Sequence, residues 1–167
     1  MRWLALALFL PATAAASTAL PLSVAELTAY ADVVVLAQVG TPQAVWQGRR
    51  IVTVTPVTVE EVWVGSTREH VIEVSTLGGV VGGVGQRVDG EARLVPGEQV
   101  VLFLAGQGAR FRVLSLAQGA FRVLPDAGAA PRVMRALDGL TLHGSLPALP
   151  PTLPELKAAV LDVAHPR

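Results

Sequence analysis

Ile51-Val52-Thr53-Val54-Thr55-Pro56-Val57-Thr58-Val59-Glu60-Glu61-Val62-Trp63-Val64 is the stretch whose reading decides the fold. Two series alternate along it. One runs Ile51, Thr53, Thr55, Val57, Val59, Glu61, Trp63, and the other Val52, Val54, Pro56, Thr58, Glu60, Val62, Val64. Period two with mostly β-branched side chains predicts a strand, because such side chains pack well on a pleated surface. The stretch is long for one strand. Pro56 has no N–H for a ladder, so it marks an edge or a bend. A long, bent strand shared by two halves of a barrel satisfies both observations.

Upstream, Ser23-Val24-Ala25-Glu26 is a capping box. Val24, Leu27 and Tyr30 follow at helical spacing, which predicts a short helix over 24–31. The run Val33-Val34-Val35-Leu36 comes next, and its unbroken apolar character predicts a strand buried on both faces. Residues 41–48, with Pro42 and Gly48, read as a loop that carries Trp46. Downstream, Gly65-Ser66-Thr67 turns the chain into a strand over 70–74. Residues 77–90 hold six glycines and read as a long loop. Pro96-Gly97 is a turn before a strand over 99–104, and two further alternating runs follow at 110–114 and 120–124. Five or six short strands separated by Gly and Pro turns predict an all-β sandwich or small barrel with little helix.

After residue 125 the chain becomes rich in Ala, Gly and Pro, so 126–151 reads as an irregular connection, with one turn of helix at Met134-Arg135-Ala136-Leu137. Thr152-Leu153-Pro154-Glu155 is a second capping box, with Pro at a first-turn position. Leu156, Ala159, Val160 and Val163 share one stripe, so a helix ending at 164 is expected to dock on the barrel.

At the other end, Arg2, the apolar run from Trp3 to Leu10, Pro11 and the small residues Ala14-Ala15-Ala16 have the layout of a cleavable export signal over 1–16. The apolar run is too short to span a bilayer, and no later stretch reaches membrane length without a charge, Gly or Pro. The organisation expected is an export signal at 1–16, a β-barrel domain at 17–125, the connection at 126–151 and the docking helix at 152–164. Periplasmic or extracellular residence in a bacterium follows as the expectation. The chain has no cysteine, which excludes lipidation at an N-terminal Cys, thiolate metal sites and Cys nucleophiles. Thirteen Lys and Arg balance thirteen Asp and Glu. Nucleic-acid binding then lacks its main source of affinity.

The series Ala31-Asp32-Val33-Val34-Val35, then Val57-Thr58-Val59-Glu60-Glu61-Val62-Trp63-Val64-Gly65, a Gly-rich loop, and Pro96-Gly97-Glu98-Gln99-Val100-Val101-Leu102-Phe103-Leu104 resembles an uncharacterised group of secreted bacterial domains. It is also distantly similar to the OB-fold barrel of tissue inhibitors of metalloproteinases and netrin modules. The resemblance covers about residues 29–124 and implies a five- to six-stranded OB-like Greek-key barrel. The animal inhibitors bind their target's zinc through an N-terminal Cys. This chain has none, so that mechanism does not carry over.

Candidate site residues are few. Gly82 and Gly83 in the glycine segment, with Gln86 and Arg87 after them and Trp46 in the earlier loop, form a possible binding loop at the barrel mouth. No helix pattern and no Lys follow the glycines, so a phosphate loop is not indicated. His70, His143 and His165 are far apart and lack metal-ligand spacing. No Gly-x-Ser-x-Gly elbow is present. Adjacent Glu60 and Glu61 point to opposite faces of a strand and do not form a glycosidase pair. Arg110, Arg112 and Arg122 alternate with apolar residues and read as a solvated outer face. No catalytic, cofactor or metal residues are assigned. The expectation is a non-enzymatic binding module for a protein or glycan of the envelope. A protease-associated protein is the first alternative and a small hydrolase the second.

Overall fold

The computed structural model of the protein describes residues 18–137 and 139–165; the expected export signal at 1–16 lies outside them. The elements in chain order are β1 (Thr18–Ala19), α1 (Val24–Tyr30), β2 (Val33–Val39), β3 (Gln43–Gln47), β4 (Arg50–Val64), β5 (Val71–Leu77), β6 (Gly79–Val81), β7 (Val84–Gln86), β8 (Gln99–Gln107), β9 (Arg110–Val113), a 3₁₀ turn (Leu116–Gly119), β10 (Ala120–Leu124), β11 (Arg132–Arg135), β12 (Thr141–Leu142) and α2 (Leu153–Ala164).

Five strands close into a barrel. β2 pairs with β4 and β8, β4 with β5, β5 with β9, and β9 with β8. Counting only these five in chain order, the ring runs first, second, third, fifth, fourth and back to first. Every pairing is antiparallel except that of the third and fifth strands, β5 and β9. This is the expected OB-like Greek key. β3 extends β4 outward, and β10 and β11 extend the sheet from β8.

The long strand behaves as its sequence implies. Its first half pairs with β3 and its second half with β2, both on the same edge. Pro56 falls at the seam between the two pairings, where no ladder needs its N–H, and its carbonyl accepts from Gly40 N at 2.8 Å. Two bulges leave Glu60 and Trp63 without a partner in the β2 ladder. The first reverses the inside–outside alternation. Val57 and Val59 therefore face into the barrel, while Trp63 turns outward beneath the helices.

Two apolar clusters result. Inside the barrel lie Val33, Val35, Ala37, Val57, Ile72, Leu102, Phe111 and their neighbours. Outside it, Val34, Leu36, Val101, Phe103 and Phe121 meet Leu27 of α1 and Leu156 and Val160 of α2. The strands β2 and β8 are thus covered on both faces, as their unbroken apolar runs require. Both helices start with the expected capping boxes: Ser23 N donates to Glu26 Oε2 at 2.8 Å and Thr152 N to Glu155 Oε2 at 3.2 Å.

Three expectations are corrected. Residues 43–47 are a strand rather than a loop, because the free edge of β4 offers them a ladder that closes through the Gly48–Arg49 turn. The glycine segment is a hairpin, β6–β7, turning at Gly82 (φ 57°) and Gly83 (φ 82°). Positive φ at both turn residues matches the strand twist and favours glycine there. Met134 lies in β11 and not in a helical turn. Four residues cannot sustain a helix alone, whereas the edge of β10 pairs with Met134 and Arg135 together with Arg132 and Val133 before them.

The lead-in before α1 is held by buried polar groups. Gln118 Oε1 accepts from Leu22 N at 2.8 Å, and Gln118 Nε2 donates to Leu20 O at 3.0 Å. Arg135 Nη1 donates to Leu22 O at 2.9 Å, while its guanidinium lies 4.8 Å from the centre of the Phe121 ring. Burial pushes the Arg135 pKa down to about 10.

Candidate functional site

The inward series of β4 changes character towards its start. Val57 and Val59 belong to the apolar interior, but Thr55 and Thr53 follow, and Thr76 joins them from β5. Thr55 and Thr76 are only 1% and 8% exposed. Buried hydroxyls are costly unless satisfied, so this end of the barrel is a polar mouth. The segment between β7 and β8 crosses it and places Glu91 there.

Two clefts meet at this mouth. The inner one, about 520 Å³, is lined by Thr53, Thr55, Gln86, Arg87 and Arg93 among others. The lateral one, about 530 Å³, opens where β5 and β9 separate, and is lined by Gln47, Arg50, Ser75, Arg112, Ser115 and Leu116. Thr76, Leu77 and Glu91 border both. Burial raises the Glu91 carboxyl above its ordinary pKa, against the lowering influence of the Leu77 and Ala92 backbone. Ser115 (φ 53°) and Leu116 (φ 60°) hold left-handed backbone on the wall of the lateral cleft. For a bulky residue such as Leu that conformation is an outlier, and strain of this kind gathers at functional sites.

The glycine hairpin roofs this end of the barrel. A Cβ on Gly79 would lie 2.6 Å from Thr53 Oγ1 and 2.8 Å from Ala44 Cβ, so only glycine lets β6 lie flat on β3 and β4. Thr53 Oγ1 donates to Gly78 O at 2.7 Å, and Gln86 Oε1 accepts from Ile51 N at 2.7 Å.

The expected site residues are divided by this geometry. Gln86 and Arg87 line the inner cleft, and Arg87 pairs with Asp89 at 2.9 Å. Gly82 and Gly83 form the exposed hairpin tip, and neither borders the two clefts. Trp46 is 51% exposed on β3, also away from both clefts. Trp63 is buried and donates from Nε1 to Glu61 Oε2 at 3.0 Å. Glu60 accepts from Gln99, so the two adjacent glutamates serve different partners. Arg110 and Arg112 are solvated, whereas Arg122 is partly buried beside Glu98 at 3.2 Å. The residues missed from sequence are Glu91, Thr55, Thr76, Arg50 and Ser115. Thr53 and Thr55, polar residues in an otherwise inward apolar series, were the one available signal.

The motif residues behind the family resemblance are structural in position. Asp32 Oδ2 accepts from Gly106 N at 2.9 Å. Gly65 (φ 73°) sits against the Asp32 carbonyl, where any Cβ would collide with it. Gly97 N donates to Val39 O at 2.8 Å. Among the described residues no group of three or more His, Cys, Asp or Glu is placed to hold a metal ion, and no helix is long and apolar enough to cross a membrane. No protein-family model, curated protein or solved structure matches this chain.

Proposed function

We propose that this chain is an exported, non-enzymatic binding domain of a bacterial envelope or extracellular space, and that it holds a protein or glycan partner at the polar mouth of the barrel. One observation carries the reading: polar side chains from β4, β5, β9 and two connections converge on two adjoining clefts at the end of an otherwise apolar barrel. Concave sites with a few convergent polar groups and a perturbed carboxyl are where ligands bind. Export rests on the pattern of residues 1–16.

Capture from envelope extract tests it. The mature chain serves as bait beside a mouth variant, Arg87→Ala with Glu91→Ala. A partner held by the first and lost by the second supports the reading. Equal capture by both moves the site elsewhere, and repeated failure to capture any specific protein or glycan overturns it. Assaying a metalloprotease panel with excess mature protein tests the protease-associated alternative; inhibition would favour that alternative.

A further inference from the structure

We infer that the lateral cleft between β5 and β9 recognises an acidic saccharide, with Arg50 and Arg112 holding its carboxylate at the rim and Glu91 accepting from a hydroxyl at the floor. The inference rests on the binding-domain reading above and gives its site a ligand class.

The argument begins with charge. The chain as a whole is neutral, yet the linings of the two clefts hold four arginines, Arg50, Arg87, Arg93 and Arg112, against one glutamate. Arg87 is engaged with Asp89. Among the described residues Arg50 and Arg112 have no carboxylate within ion-pair distance. They come from elements far apart in sequence, the start of β4 and the middle of β9, and both border the lateral cleft. A concave positive site on a neutral molecule focuses field on an anion, and guanidinium groups match the planar fork of a carboxylate.

The floor decides which anion. Glu91 is half-buried and likewise has no cation within ion-pair distance among the described residues. It disfavours a second negative charge deep in the cleft and accepts a hydroxyl readily. A ligand must therefore carry its charge at one end and hydroxyls at the other. Gln47, Ser75 and Ser115 add amide and hydroxyl groups to the same lining. A polyanion such as a nucleic acid would bring charge against Glu91 along its length. A uronate-type sugar fits both ends.

The test is titration of the full mature chain with an aldotriouronic acid, two neutral sugars capped by a single uronate, its methyl ester and an oligothymidylate of similar length. The acid is expected to bind, with affinity falling as salt rises. The ester should bind at least about tenfold more weakly, since charge-assisted hydrogen bonds are lost. Arg50→Ala and Arg112→Ala should each lose about tenfold to hundredfold, and Arg112→Lys should recover part of that loss. Arg68→Ala, which lies outside both clefts, should change nothing. Both cleft arginines are exposed, so unchanged thermal melts will show that the variants fold. Equal affinity for acid and ester, no loss in either arginine variant, or equal binding of the oligothymidylate would overturn the inference. Failure to bind the aldotriouronic acid while the mouth still captures an envelope partner removes the acidic saccharide and leaves the binding-domain reading; failure of both removes both.

Discussion

Glu91 shows what one residue does at the mouth. Its carboxyl pKa is raised by burial, so the folded state prefers the proton. The stability it contributes is complete below the ordinary value of 4.5 and is lost as pH rises through the higher folded value. Glu91→Gln cannot ionise, so at pH 7 it should melt above the parent protein, and the gap should close in acid; melting curves at the two pH values decide. Gly65 carries a different prediction. Its positive φ and the Asp32 carbonyl in its path make Gly65→Ala costly, by about 2 kcal/mol or more in denaturant unfolding. Arg135 gives a third. It is buried and, among the described residues, has no carboxylate partner. Arg135→Met should therefore stay within about 1 kcal/mol of the parent protein or exceed it. Arg135→Ala should cost about 2–3 kcal/mol through lost packing over Phe121.

At the scale of elements, the β6–β7 hairpin depends on close approach. Gly79→Ala must lift β6 from Ala44 and Thr53. Hydrogen exchange should show lost protection at Val81 and Val84, with the barrel amides unchanged. This hairpin also shows where reading the chain ran out. Six glycines suggest a loop, yet two of them supply a primed turn and another the flat packing. Those roles appear only once β3 and β4 lie beneath. β3 was hidden for a related reason: Pro42 and Gly48 bracket it like a loop, and the ladder that makes it a strand is supplied by the first half of β4. β2 and β8 were legible because burial on both faces leaves an unbroken apolar run. The capping boxes were legible because their chemistry is local. Glu91 gave no warning, because its burial comes from β5 and its own crossing segment together. The side that Trp63 takes was not legible, because a bulge reverses alternation without changing composition.

For the whole molecule, the sheet face of β2 and β8 outside the barrel is finished only by the helices. Leu156 and Val160 of α2 cover Val34, Leu36, Val101 and Phe103 together with α1. Leu156→Asp buries a charge there without a partner, so a cost of several kcal/mol and binding of a hydrophobic dye are expected. The barrel closure has its own consequence. β5 and β9 are joined by three residue pairs, Glu73–Arg110, Val74–Phe111 and Ser75–Arg112, whereas β4 and β5 share seven. A ring breathes where its stitching is shortest. The lateral cleft adjoins that short seam, so the width of its doorway and the pace of its opening are set by a few backbone hydrogen bonds rather than by the stiff remainder of the wall.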